Sequence, residues 1–161
     1  MAHQVLFVCT GNYYRSRFAE LLFNARAGHA RLPWTAASRG FILAPQNVGP
    51  ISPLTLEALA TCEVPVVGDV RLPRLLQQAE LEAADLVIAL KEAEHRPWFD
   101  QRFPHWADRV EYWHIHDLDG TPATEACAMI AREVDHLIAR LAAERRGAAP
   151  DVGQAQQRIL S

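Results

Sequence analysis

The 161 residues contain only three cysteines, no basic excess and no apolar run approaching the thickness of a bilayer. Each shortage excludes something. Three widely spaced cysteines, an odd number, make no disulfide framework and fit a reducing cytoplasm, where a thiol can act as a nucleophile. Without ~20 consecutive apolar residues or a charged-then-apolar leader, neither a membrane span nor a signal peptide is expected. A formal net charge of −3 gives no reason to expect nucleic acid as a partner. No internal repeat is visible. What is present is 50% hydrophobic and 22% charged, the composition of one globular domain with a real core.

The run His3-Gln4-Val5-Leu6-Phe7-Val8 is short, apolar and β-prone, and a glycine-containing turn follows. From Arg17 the period changes. Phe18, Leu21, Leu22 and Ala25 are spaced as the stripe of an amphipathic helix that Gly28 would stop. Trp34–Ser38 reads as a second strand, and Ser52-Pro53 as a cap opening a helix to about Thr61. A short helix is expected over Pro73–Glu80, a buried strand over Asp85–Leu90, a helix over Glu92–Phe99 and a last strand over Arg109–Ile115. Thr121-Pro122 opens a long helix whose Cys127, Ile130, Ala131, Val134, Leu137, Ile138 and Leu141 share one face. Strands alternating with helices predict an α/β layer fold with a mainly parallel sheet. The domain is expected to occupy 1–146, and the Gly-, Ala-, Pro- and Gln-containing stretch 147–161 is expected to form a flexible tail.

The chemistry concentrates in Cys9-Thr10-Gly11-Asn12-Tyr13-Tyr14-Arg15-Ser16, between the first strand and the first helix. Parallel sheets bind ligands at the carboxyl ends of their strands. A loop running into a helix aims backbone N–H groups and the positive end of a dipole into one concavity, which suits phosphate. Gly11 and Asn12 are residues that accept positive φ, as a wrapped loop demands. The dipoles that hold phosphate also favour a thiolate at Cys9. Arg15 supplies a planar fork for two phosphate oxygens, and Ser16 can donate to the sulfur. Nucleophile, oxyanion donors and anion clamp thus fall in one segment. The alternative, a small buried cysteine ending a strand, explains Cys9 but not its company. Asp117 and Asp119 are candidate proton donors, and equally could be solvated acids near a helix start.

Val8-Cys9-Thr10-Gly11-Asn12-Tyr13-Tyr14-Arg15-Ser16 followed by Ala19-Glu20 resembles the phosphate loop of the low-molecular-weight protein tyrosine phosphatases. Ser38-Arg39-Gly40 and Ala84-Asp85-Leu86-Val87-Ile88 are similar to two further family segments, and the likeness spans residues 3 to 143. The resemblance implies a three-layer flavodoxin-like fold with a four-stranded parallel sheet in the order 2-1-3-4. It also implies a two-step reaction without metal or other cofactor, in which Cys9 forms a cysteinyl-phosphate that water hydrolyses. Catalysis would fall to Cys9, Arg15 and Asp117, with Asp119 the alternative acid. Substrate would be bound by Thr10, Gly11, Asn12, Tyr13, Tyr14 and Ser16. A phosphorylated protein or a small phosphate ester is the implied partner, met by a monomer or weak dimer in the cytoplasm.

Three departures stand out. Tyr14 replaces the family's second loop cysteine, and Cys62 and Cys127 read as structural thiols, so the family's protective loop disulfide is not expected. Tyr13 stands where smaller residues are usual and where the related arginine-phosphate enzymes carry threonine. Leu118 replaces the proline beside the acid. A thiol-dependent arsenate reductase and a weakly catalytic phosphate-binding adaptor are the competing functions. Glu92, Glu94 and His95 form a polar cluster at the ligand-bearing edge that reads first as a solvated helix start. His114 and His116 alternate along a strand as metal ligands can, without a third partner, and are read as a surface or packing pair. Trp34, Trp98, Trp106 and Trp113 are expected in or against the core.

Overall fold

A computed structural model describes residues 2–115 and 123–148. In chain order, β1 spans His3–Cys9, α1 Arg15–His29, β2 Trp34–Gly40 and α2 Pro53–Thr61. Then come α3 at Gln78–Ala83, β3 at Leu86–Ala89, α4 at Glu92–Arg102, β4 at Glu111–Tyr112 and α5 at Ala123–Ala148. The sheet has the order β2-β1-β3-β4, all neighbours parallel. This is the expected flavodoxin-like arrangement.

Central β1 explains the layering. Val5 and Phe7 face one side and Leu6 and Val8 the other, all at 1% exposure or less, because helices cover both faces of a parallel sheet. Val5 and Phe7 join Phe18, Leu22 and Phe23 of α1 and Ile130, Val134, Leu137 and Leu141 of α5. Leu6 and Val8 join Phe41, Leu81 and Phe99 on the side of α3 and α4. The apolar face expected of the last helix is therefore the face α5 buries. All four tryptophans are buried or half-buried.

Two elements differ from expectation. The Pro73–Glu80 stretch is helical only from Gln78. Ahead of it, the Leu76 N–H donates to the Gly40 carbonyl at 2.8 Å and Gly40 donates to Arg74 at 2.9 Å. The chain thus runs beside the end of β2, Leu75 bridging Gly40 in parallel, instead of coiling, a tertiary pairing that overrides local propensity. The Arg109–Ile115 strand shrinks to Glu111–Tyr112, although Trp113 and Ile115 still donate to Ala89 and Leu90 at 2.9 Å each. Among the described residues no helix is long and apolar enough to cross a membrane.

Candidate active site

Cys9 closes β1 at the carboxyl edge of the sheet, and Arg15 opens α1 six residues on, with no side chain capping the helix and no acid in its first turn. That leaves the positive end of α1 directed at the loop, as an anion site requires. The Cys9 Sγ lies 2.9 Å from the Ser16 Oγ. Asn12 fixes which of them donates. Its amide NH₂ donates to Ser16 Oγ at 2.9 Å and to Ser38 Oγ at 2.8 Å. Its Oδ1 accepts from Arg71 Nη1 and from the Arg74 N–H, both at 3.0 Å. Since both latter groups can only donate, the amide orientation is determined, and the Ser16 hydroxyl, already accepting from Asn12, has its hydrogen for the sulfur.

Asn12 adopts φ 50° while buried, the left-handed conformation that asparagine tolerates. Gly11 does not share it, since the positive-φ glycines among the described residues are Gly49 and Gly68. A Cβ on Gly11 would meet only ordinary contact, at 3.6 Å from Asn47. The glycine the loop requires is Gly40, whose added Cβ would sit 2.7 Å from the Asn12 nitrogen and 2.8 Å from the Thr10 carbonyl. Glycine here permits close backbone approach, not an unusual turn.

Arginines brace the loop from behind. Arg71 Nη2 reaches Glu20 Oε1 at 3.0 Å and Ser38 Oγ at 2.9 Å. Arg17, 1% exposed, donates to the Pro50 and Arg71 carbonyls at 2.9 and 3.0 Å, and its Nε has no partner among the described residues. Burial, then the neighbouring Arg71 charge, lower its pKa to about 10 against the pull of Glu20.

On the opposite side, Arg15 Nη1 and Nη2 each donate to the Glu94 carboxylate at 2.9 Å, and Thr10 Oγ1 donates to Glu94 Oε1 at 2.6 Å. Desolvation would raise the Glu94 pKa, but the bonds from Arg15 and then Thr10 outweigh it and hold it at about 2. Of the polar cluster at the start of α4, Glu94 and His95 therefore belong to the site, whereas Glu92 pairs with Arg96 at 2.8 Å on its own helix.

The two tyrosines part company. Tyr13 Oη donates to the Val48 carbonyl at 2.6 Å, tying the phosphate loop to the segment after β2. The Tyr14 ring is 9% exposed inside the α1–α5 core, with its hydroxyl donating to the Ala123 carbonyl at 3.0 Å and 3.2 Å from Cys127 Sγ. Its side chain packs and cannot wall a substrate. Cys62 and Cys127, both free thiols, line one groove of about 470 Å³ between α1, α2 and α5. Cys62 thus has a thiol neighbour that its place in the sequence does not reveal. Asp117, Asp119, Leu118 and His116 lie outside the described residues. His114 is exposed, and no cluster of three metal-binding side chains occurs among the described residues.

Comparison with known proteins agrees with this geometry. Residues 4–147 match the family model of the low molecular weight phosphotyrosine protein phosphatases. A protein-arginine-phosphatase of Bacillus subtilis is 33% identical over 106 residues, covering 66% of this chain and 67% of its own. A low molecular weight protein tyrosine phosphatase from T. tengcongensis is 30% identical, with a TM-score of 0.69 over 89% of this chain and 99% of that one. The YwlE arginine phosphatase from Geobacillus stearothermophilus superimposes with a TM-score of 0.73 at 22% identity, covering 92% and 98% of the two chains.

Proposed function

Because this chain belongs to the low molecular weight phosphotyrosine protein phosphatase family and is a cysteine-dependent phosphatase, we propose that it hydrolyses phosphate monoesters through a cysteinyl-phosphate. The substrate class is protein phosphotyrosine or small aryl phosphates. The observation that carries the reading is Cys9 Sγ 2.9 Å from a Ser16 hydroxyl whose hydrogen Asn12 leaves available. A serine donor there stabilises negative sulfur both as nucleophile and as leaving group.

The Cys9 thiolate attacks phosphorus while Arg15 and the loop amides neutralise the equatorial oxygens. The bond from phosphorus to the ester oxygen breaks, and Asp117 gives that oxygen its proton, with Asp119 as the alternative donor. The same carboxylate then takes a proton from water, which attacks phosphorus. The S–P bond breaks, returning thiolate and releasing inorganic phosphate. No metal enters. Loop residues Thr10, Gly11, Asn12 and Tyr13 frame the substrate, and Tyr14 contributes through its backbone. We place the enzyme in the reducing cytoplasm, as a monomer or weak dimer, with the domain over residues 1–146.

A second substrate, phosphoarginine, is favoured by the 33% identical Bacillus relative that carries that activity in its name. Tyr13 speaks against it, since it stands where the related arginine-phosphate enzymes carry threonine. Arsenate reduction is less well supported, because Cys127 is buried and tied to Tyr14, although its neighbour Cys62 supplies the second thiol that such a reaction needs. Turnover of aryl phosphate, phosphotyrosine and phosphoarginine by wild type, Cys9→Ser and Asp117→Ala tests the proposal. Cys9→Ser should lose about 10⁴-fold or more in kcat and the burst of aryl alcohol. Turnover surviving in Cys9→Ser would overturn the mechanism. An unchanged Asp117→Ala rate with a poor leaving group would move the acid role to Asp119.

A further inference from the structure

Glu94 lies in the first turn of α4, where an acid is ordinarily explained by the helix dipole. Its oxygens point elsewhere. Both terminal nitrogens of Arg15 meet its two oxygens at 2.9 Å, a bidentate pair of the kind that arginine makes with phosphate. Arg15 is 6% exposed and Glu94 25%, so the pair sits at the edge of the site with the cation on the inside.

The carboxylate is itself held. The Lys91 N–H donates to His95 Nδ1 at 3.0 Å, which makes Nε2 the nitrogen carrying the proton. That proton faces Thr10 Oγ1 at 3.2 Å, and the Thr10 hydroxyl hydrogen goes to Glu94 Oε1 at 2.6 Å. His95 is fully buried. A directed chain thus runs from the backbone of Lys91 through His95 and Thr10 to Glu94, which Arg15 meets as a donor from the other side, and Thr10 and Arg15 both belong to the phosphate loop.

We propose that Glu94 is the positioning residue for Arg15: it fixes the guanidinium plane for the transition state and, through its charge, loosens the grip on phosphate. The proposal rests on the phosphatase reading. A guanidinium offers five N–H groups, so a carboxylate that takes two does not by itself exclude a phosphate. It does oppose the dianion electrostatically, at a distance where one charge matters. Alignment raises kcat, whereas ground-state affinity for phosphate does not.

Two substitutions separate reach from charge. Glu94→Gln keeps the size, removes the charge and breaks the bidentate pair. It should lower kcat on an aryl phosphate by about 10- to 100-fold while inorganic phosphate binds about 3- to 10-fold more tightly. Glu94→Asp keeps the charge and shortens the reach, so kcat falls but phosphate affinity stays near wild type. Calorimetric titration with inorganic phosphate reads affinity without turnover, so it tests Glu94 even if the wild type hydrolyses no ester. Loss of wild-type hydrolysis would instead break the phosphatase reading. Equal kcat and phosphate affinity in wild type and Glu94→Gln would overturn the proposal. So would a variant in which both weaken together and Asp fails to separate them, since that is a merely structural loss.

Discussion

On one flank of the phosphate loop, Asn12, Ser16, Ser38 and Glu20 are all at 8% exposure or less, and Arg71 closes the cluster. On the other flank, Thr10, Arg15 and Glu94 meet at an edge where Glu94 is a quarter exposed. The first cluster contains five hydrogen-bonding groups whose demands are mutually satisfied, and it holds the sulfur's partner. The second contains one ion pair, and it holds the clamp. The difference follows from what each must do. A nucleophile's donor can be rigid and dry, because it never leaves the sulfur. A clamp that receives a charged substrate must be aimed before the substrate arrives, and a carboxylate beside the buried Arg15 does that.

The sharpest way to break this contrast is at Asn12. Removing its side chain deprives Ser16, Ser38, Arg71 and the Arg74 N–H of a partner at once. It also leaves an alanine at φ 50°. Asn12→Ala should cost about 3–4 kcal/mol in denaturant unfolding, combining unsatisfied buried donors with left-handed strain. Asn12→Gly should recover about 1 kcal/mol of that, because only the strain is relieved. A loss below about 1 kcal/mol for Asn12→Ala would show that the buried flank is not held by this residue.

How much of this could be read beforehand depended on distance along the chain. The strand, the loop, the helix and the Cys9–Ser16 pairing are local, so their residues announced them. Even there Gly11 misled, because the constraint sits on Gly40, whose missing Cβ matters only once β2 lies against the loop. Arg71 and Glu94 are 59 and 79 positions from their loop partners, and nothing in their neighbours' spacing points back. Glu94 and His95 drew notice only as a polar cluster, and the dipole explanation competed with the true contact. The Pro73–Glu80 stretch failed for the same reason in reverse: the short helix expected there yielded, before Gln78, to pairing with Gly40. The sheet order came from the family resemblance; alternation alone gave the class.

The open flank should reveal itself through pH. The Glu94 pKa is lowered from 4.5 to about 2, so its contribution is complete above the unfolded value and disappears as pH falls from about 5 toward 2. Glu94→Gln should therefore flatten the stability profile across that window. The expected difference is on the order of 2 kcal/mol at neutral pH, after allowing for partial exposure. Parallel profiles for wild type and Glu94→Gln between pH 5 and 2 would mean that Arg15 is stabilised by something other than this carboxylate.

The smallest effect tests how far the buried flank extends. Tyr14 carries it from the loop into α5 through its hydroxyl, which reaches Ala123 and Cys127. Losing that hydroxyl should cost little. The Ala123 carbonyl opens α5 and has the helical N–H four residues on as its own partner, and the Cys127 thiol is only a weak donor to the hydroxyl oxygen. Tyr14→Phe is expected to lower stability by about 0.5–1 kcal/mol and leave turnover nearly unchanged. Its signature lies at Cys127 instead. Burial pushes that thiol's pKa up, the Tyr14 hydrogen bond pulls it back, and the nearby Cys62 adds to the rise. Without the hydroxyl the pKa climbs further, the thiolate fraction falls, and alkylation of Cys127 at fixed pH should slow relative to Cys62. Peptide mapping after iodoacetamide reads both sites in one sample. Faster alkylation of Cys127 would mean that the tyrosine shields the thiol more than it acidifies it, and that the link between loop and α5 is packing alone.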